Sequence, residues 1–361
     1  MSDILVIGGG IIGLLTAREL VAAGATVTLA EMGATGRQAS WAGGGIISPL
    51  YPWRYAESIT ALARWSQTEY PKLCATLHDE VGIDPELIQS GLLILDPQER
   101  DLALNWGKRH GTVISVIDAE TLHQTEPELG PRPTSALMLP EISQVRNPRL
   151  TKALRQSIEK RILIREQEEV LELLIDNGRV VGARTQKGEI RADRVVICAG
   201  AWSARLLEQL GTKPEIQPVR GQMILFYAKP GQINHIVLNE ERYIIPRSDG
   251  RVLIGSTLEH TGFDKATTAE AKEELYRIAV DLFPLLKRTP IEDHWAGLRP
   301  GSPSGVPFIG MHPECDGLYF NAGHYRNGVV TGPASARLLA DLLLGRDPII
   351  APEPYALTAT R

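Results

Sequence analysis

"DILVIGGGIIGLLTARELVAAGATVTLAE", residues 3–31, reads as a buried strand, a glycine turn, a helix and a second strand ending at an acid. The run Ile4 to Ile7 is apolar at every position, the pattern of a parallel strand covered on both faces. Gly8, Gly10 and Gly13 make G-x-G-x-x-G where that strand meets the helix. Gly8 permits the tight turn, Gly10 lets backbone approach a pyrophosphate, and Gly13 lets the helix pack on the strand. The helix start, with Ile11 and Ile12, offers free N–H groups to phosphates. Gly24 supplies the helix stop. Glu31, about 20 residues beyond the glycines and followed by Met32, is placed to accept hydrogen bonds from a ribose hydroxyl. Glycine-rich turns occur in many folds; the strand, helix and acid around this one make it a dinucleotide site. The motif does not by itself separate NAD from FAD.

Bulk properties narrow the class. A chain of 361 residues is long enough for two domains, or for one domain interrupted by another. Hydrophobic residues at 43% and charged residues at 22% are an ordinary soluble balance. A formal net charge of −5 speaks against nucleic acid or an anionic membrane as a partner. Cys74, Cys198 and Cys315 lie far apart with no C-x-x-C pair, which fits free thiols in a reducing compartment and offers no zinc signature. His260 and His294 have no partners at metal spacing, so no metal is expected. The opening MSDILVIGGG lacks a signal-peptide pattern, and "SARLLADLLLG" is broken by Arg337 and Asp341 and too short to span a bilayer. A cytoplasmic protein without stable membrane association is expected.

Further along, "GATGRQASWAGGGIISP" holds too many small residues to pack as an ordinary helix. Ile59 to Val81 reads as largely helical, interrupted near Pro71. "SGLLILD" is a strand, and "PQERDLALNWGKRHG" a helix opened by proline and closed by glycine. A helix from Pro148 precedes strands joined by a hairpin turn at Asn177–Gly178. "ADRVVICAGAWSARLLEQLG" repeats the order of buried strand, small-residue turn and helix. "PVRGQMILFY", "RYIIPRSDGRVLIGST" and "WAGLRPGSPSGVPFIG" read as antiparallel strands, the middle one a hairpin around Ser248–Asp249–Gly250. "TAEAKEELYRIAVDLF" is an amphipathic helix among them. The reading is an α/β protein: a nucleotide-binding domain in three segments (1–83, 141–214, 302–361) with an antiparallel or mixed-sheet domain inserted (84–140, 215–301).

Near the C-terminus, "NAGHYRNGVV" puts His324 and Arg326 between two glycines at the start of a helix. A cation there opposes the helix dipole, which favours anions at that end. Taken with GGGIIG, "ASWAGGGIISP", "VVICAGAWS" and "WAGLRP", the stretch "GHYRNG" resembles the D-amino-acid oxidase family of flavoproteins. Within that family the chain is most similar to the glycine oxidases of thiamin biosynthesis. The likeness runs through essentially the whole chain in the right order.

The resemblance implies a Rossmann-like FAD-binding domain of the glutathione-reductase type and FAD as the cofactor. It implies that Gly8 to Gly13 and Glu31 hold the ADP half, that Gln38, Ala39, Ser40, Gly43, Gly44 and Gly45 run along the flavin, and that the Val170 backbone reads the adenine. Ala199, Gly200 and Trp202 in "CAGAW" are a further contact region. The loop His324, Tyr325, Arg326, Asn327, Gly328, Val329, Val330 closes over the isoalloxazine ring. Arg299, Tyr243 and Arg326 are the implied catalytic clamp on the substrate carboxylate, a role suited to the guanidinium fork.

Departures from the family concern the pocket. The family often carries alanine and methionine where this chain has Gly43 and Gly45, and methionine where it has Leu258. Gly45 and Leu258 are expected to line the substrate pocket. Cys315 sits in "HPECDGLYF", which matches no flavin-linkage motif, so FAD is expected to be non-covalent. His324 is assigned packing or hydrogen bonding in the flavin loop. The implied reaction is oxidative deamination of glycine and other small amines (sarcosine, small D-amino acids), with molecular oxygen as acceptor and ammonia and hydrogen peroxide as products. The imine is hydrolysed or passed to a thiazole synthase. The alternative is a D-amino-acid dehydrogenase that hands electrons to a quinone. A homo-oligomer is expected.

Overall fold

In the computed structural model, which describes residues 3–208 and 210–360, two large sheets organise a mixed α/β fold. The first has six strands in the order Phe308–Met311, Leu318–Ala322, Arg194–Ile197, Asp3–Ile7, Thr26–Ala30, Leu163–Arg165. Neighbours are parallel except for the antiparallel pair at the Phe308–Met311 edge. Alternate residues of Asp3–Ile7 enter two different cores. Ile4 and Val6 pack with residues of the helices Ile11–Ala22, Glu57–Val81, Asn147–Ile158 and Gly328–Leu344. Leu5 and Ile7 pack with a three-stranded antiparallel sheet, Val170–Asp176, Arg179–Thr185 and Gly188–Arg191. That double cover is why the strand is apolar at successive positions.

The second sheet has eight strands: Ile291–Gly301, Gln217–Tyr227, Arg251–Gly255, Arg242–Pro246, Ile236–Asn239, Leu92–Leu95, Ser135–Leu139, Ser115–Asp118. It is antiparallel except where Ile236–Asn239 runs parallel to Leu92–Leu95. The helix Ala269–Leu282 buries Leu275, Ala279 and Leu282 in the core of this sheet. The strands of the first sheet thus come from three separated stretches of chain, and those of the second from the two stretches between them.

Local expectations meet the structure unevenly. Asn177 and Gly178 both have positive φ, 47° and 77°, as a two-residue hairpin turn requires. The helix Glu57–Val81 is not interrupted at Pro71. The missing N–H costs one bond, but the buried row of Ile59, Leu62, Ala63, Tyr70, Cys74 and Leu77 anchors the helix on both sides of it. The helix after Leu95 opens at Arg100, not at the proline. Beyond Ile197 the structure has two short 3₁₀ turns, Gly200–Trp202 and Arg205–Leu207, where an α-helix was expected. Leu206 and Leu207 are buried there, and Trp202, Arg205 and Leu206 line a cavity, so tertiary packing overrides the helical pattern.

Candidate functional site

The two sheets share one cavity of about 340 Å³, within the usual span of small-molecule sites. Its floor at one end is the turn between Asp3–Ile7 and Ile11–Ala22. Gly8 has φ 109°, and a Cβ there would lie 2.4 Å from the Cys198 carbonyl oxygen. A Cβ on Gly13 would lie 1.9 Å from the Gly8 carbonyl oxygen, so this glycine sets the approach of helix to strand. The helix cap at Gly10 brings no side-chain hydrogen bond, while the Ile11 N–H donates to Ser40 Oγ at 2.8 Å. Glu31 is buried, and its carboxylate accepts the Gly9 N–H at 2.6 Å and the Gly33 N–H at 2.9 Å.

The middle of the cavity is walled by Gln38, Ala39, Ser40 and Gly43 to Gly45. Gly45 has φ 80°, and a Cβ on it would lie 2.1 Å from the Val145 carbonyl oxygen. Val170, Ala199, Gly200 and Trp202 line the same space, as do Ile11, Ile12, Met32 and the loop 324–329.

At the far end lie Tyr243, Arg299 and Arg326. Tyr243 is buried, with its hydroxyl 3.8 Å from Met223 Sδ. Arg299 donates from Nη1 to the carbonyls of Thr257 (3.2 Å) and Arg220 (3.4 Å), and from Nη2 to Ser256 Oγ. All three acceptors are neutral. Among the described residues no carboxylate forms an ion pair with Arg299, and the nearest to Arg326 is Glu241, at 3.8 Å. Burial lowers the Arg299 pKa from its ordinary value, Tyr243 opposes that shift, and the neighbouring Arg326 adds to it. The guanidinium keeps its charge regardless. Arg299, with only neutral partners, and Arg326 both face this cavity, and a guanidinium fork is suited to a carboxylate.

His324 is buried, and both ring nitrogens lack a hydrogen-bond partner among the described residues. Burial pulls its pKa down to about 3, so the ring is neutral at physiological pH. Asn321 Oδ1, on the cavity wall, is likewise buried and without a partner among the described residues. Such groups are ordinarily satisfied, and a bound polar molecule satisfies them. Together with the helix start at Gly10 and the glycine cradle, they suit a dinucleotide cofactor.

The structure therefore brings most of the expected site residues to one place and leaves three outside the cavity wall. Gly13 packs beneath it, as its steric task requires. Val330 is buried in the core of the first sheet. Leu258, expected to line the pocket, instead exposes 38% of its surface and is absent from the cavity wall. It follows the turn after Arg251–Gly255, where Ser256 and Thr257 point inward and Leu258 outward. Gly221, Ser256 and Arg205 also line the cavity without having been singled out. For Gly221 there was a signal: a glycine inside a strand marks close approach of another group.

The sequence pattern of a family described as FAD dependent oxidoreductase matches residues 3–342. The chain is similar to the glycine oxidase of Pseudomonas aeruginosa, 52% identical over 98% of each chain. It is 31% identical, over its whole length, to 54% of the bifunctional protein ThiO/ThiG of Synechocystis. Among solved structures, glycine oxidase from Geobacillus kaustophilus superposes with a TM-score of 0.94, at 29% identity and full coverage of both chains.

Proposed function

Because this chain belongs to the family of FAD dependent oxidoreductases, we propose that its cavity holds FAD and oxidises glycine and other small amines. The observation that carries the substrate class is the carboxylate-free surrounding of Arg299, with Arg326 on the same cavity. A small amino acid brings the missing anion. The relatives named glycine oxidase support the same class.

On this reading the six-stranded sheet is a Rossmann-like FAD domain of the glutathione-reductase type, formed by 1–83, 141–214 and 302–361. The eight-stranded sheet, in 84–140 and 215–301, is the substrate domain. The Gly8 to Gly13 turn and Glu31 hold the ADP half, Val170 meets the adenine, and residues 38–45 and 324–329 flank the flavin. Val330 contributes through the helix core behind that loop. FAD is held without a covalent bond: Cys198, the cysteine on the cavity wall, has its thiol pushed up to about 12 by burial and carries no nucleophilic thiolate.

When bound, FAD supplies the two-electron acceptor for the hydrogen of the substrate α-carbon. The chain does the rest by placement. Arg299 and Arg326 take the carboxylate, and Tyr243 adds a hydroxyl donor. That fixes the α-carbon in one orientation, which is where such a site derives most of its rate. Neutral His324 neither takes nor gives a proton near pH 7. The substrate enters with its amine neutral, so no protein base is required for the hydrogen transfer. The imine product takes up water to give glyoxylate and ammonia, or passes to a thiazole synthase, a route supported by the bifunctional ThiO/ThiG relative. Oxygen as the final acceptor yields hydrogen peroxide.

The test is an amine panel on purified protein, read by anaerobic bleaching of the flavin and by peroxide yield in air. Glycine should bleach the flavin and give one peroxide per turnover. Bleaching without peroxide would move the acceptor to a quinone, and no bleaching by any amine would overturn the reading.

A further inference from the structure

Arg299 does not hold its position through its hydrogen bonds alone. The strands Gln217–Tyr227 and Ile291–Gly301 pair antiparallel with Val219 opposite Arg299 and Gly221 opposite Gly297. Gly221 and Arg299 are therefore diagonal neighbours on one face of the sheet. A Cβ on Gly221 would lie 2.1 Å from Nη2, 2.3 Å from Nη1 and 2.4 Å from Cζ of Arg299. Real Cβ atoms essentially never approach another atom within 3.0 Å. The guanidinium lies against the bare backbone of Gly221, and nothing larger than hydrogen fits beneath it.

Two details make this a constraint on Arg299 rather than on the strand. The three atoms nearest to the Cβ position all belong to Arg299, so no other part of the protein objects first to a methyl group there. The Gly221 backbone does not adopt the positive φ that favours glycine, so alanine is conformationally allowed. Nor can the guanidinium shift freely, because Ser256 Oγ and the Thr257 and Arg220 carbonyls accept hydrogen bonds from its nitrogens.

We propose that Gly221 is a positioning residue that sets where the Arg299 fork meets the substrate, its absent side chain being the space the guanidinium occupies. This rests on the reading of Arg299 as the carboxylate anchor. Any side chain at 221 displaces the fork toward the cavity and costs substrate binding without touching the FAD contacts.

The experiment compares Gly221→Ala, Arg299→Ala and the double variant as FAD-loaded enzymes. Glycolate, glycine's hydroxyl counterpart, is titrated by calorimetry, and KM and kcat for glycine, FAD content and thermal midpoint are measured alongside. Gly221→Ala should keep its FAD and lose roughly ten- to hundred-fold in glycolate affinity, as for the loss of a charged hydrogen bond. The double variant should bind glycolate no more weakly than Arg299→Ala, because the methyl then occupies vacated space. Wild-type affinity in Gly221→Ala beside a large loss in Arg299→Ala overturns the proposal alone. Unchanged affinity in Arg299→Ala overturns the anchor reading and the proposal with it. Should Gly221→Ala fail to fold, the double variant decides: a midpoint equal to that of Arg299→Ala supports the proposal, and equal failure to fold assigns Gly221 to the strand and overturns it.

Discussion

The ring of Phe263 packs against that of Trp202, with centroids 5.5 Å apart. This contact joins the two sheets over the cavity. Phe263 lies in the segment between strand Arg251–Gly255 and helix Ala269–Leu282, whereas Trp202 follows strand Arg194–Ile197. The Arg205 guanidinium covers the same phenyl ring at 3.6 Å, and Lys265 Nζ donates to Gln38 Oε1 at 2.7 Å. Trp202, Arg205 and Gln38 all line the cavity, so the 256–268 segment straps the two sheets together beside it.

Phe263→Ala should loosen that strap. Losing a tilted aromatic pair and a cation–π contact costs about 1–2 kcal/mol, or roughly a five- to thirty-fold weakening. Faster FAD loss on dilution, followed by flavin fluorescence, checks this. An unchanged release rate would mean the strap covers the cavity without retaining its contents.

Glu31→Ala should act on FAD affinity rather than on chemistry. The carboxylate accepts the amide N–H groups of Gly9 and Gly33, so its loss also slackens the glycine turn. Removing a charged hydrogen-bond acceptor costs about 1.5–3 kcal/mol. Activity should return at saturating FAD, and titration of the apoprotein gives the shift in affinity.

Arg299→Ala should strip glycine of its advantage over an amine that lacks a carboxylate. Breaking a partly desolvated ion pair costs roughly 3–5 kcal/mol, or on the order of a hundred- to several-thousand-fold in affinity. Arg299→Lys should recover only part, because a point charge cannot reproduce the two-pronged contact. Flavin content should not change. Ratios of kcat/KM for the two amines decide the matter.

His324 predicts a pH dependence of stability. Its folded pKa of about 3 lies below the ordinary value of 6.5. Between those values the unfolded chain binds a proton that the folded chain refuses, so stability rises with pH and levels off above about 6.5. At pH 5.5 the contribution lost is on the order of 1 kcal/mol relative to neutral pH. Thermal midpoints measured from pH 5 to 8 should slope more steeply in the wild type than in His324→Asn. Parallel curves would show that the ring gains a partner in the holoenzyme.

The nucleotide turn was legible because its chemistry is local. Gly8 must take a positive φ, Gly13 must let the helix approach, and both demands fall on residues within a few positions of each other. The doubly covered strand announced itself in the same way, since burial on both faces removes the alternation that a half-exposed strand would show. Even Tyr243, Arg299 and Arg326, which the structure brings to one cavity, could be named through their motifs. Their surroundings could not. That Arg299 needs an empty position at Gly221 follows from the register of two strands about 80 residues apart in sequence, and a one-residue slip would reverse which face each side chain meets. The strap through Phe263, the outward turn of Leu258 and the 3₁₀ turns after Ile197 belong to the same class. Each is decided by what packs against it from a distant part of the chain, and short-range pattern carries no information about that partner.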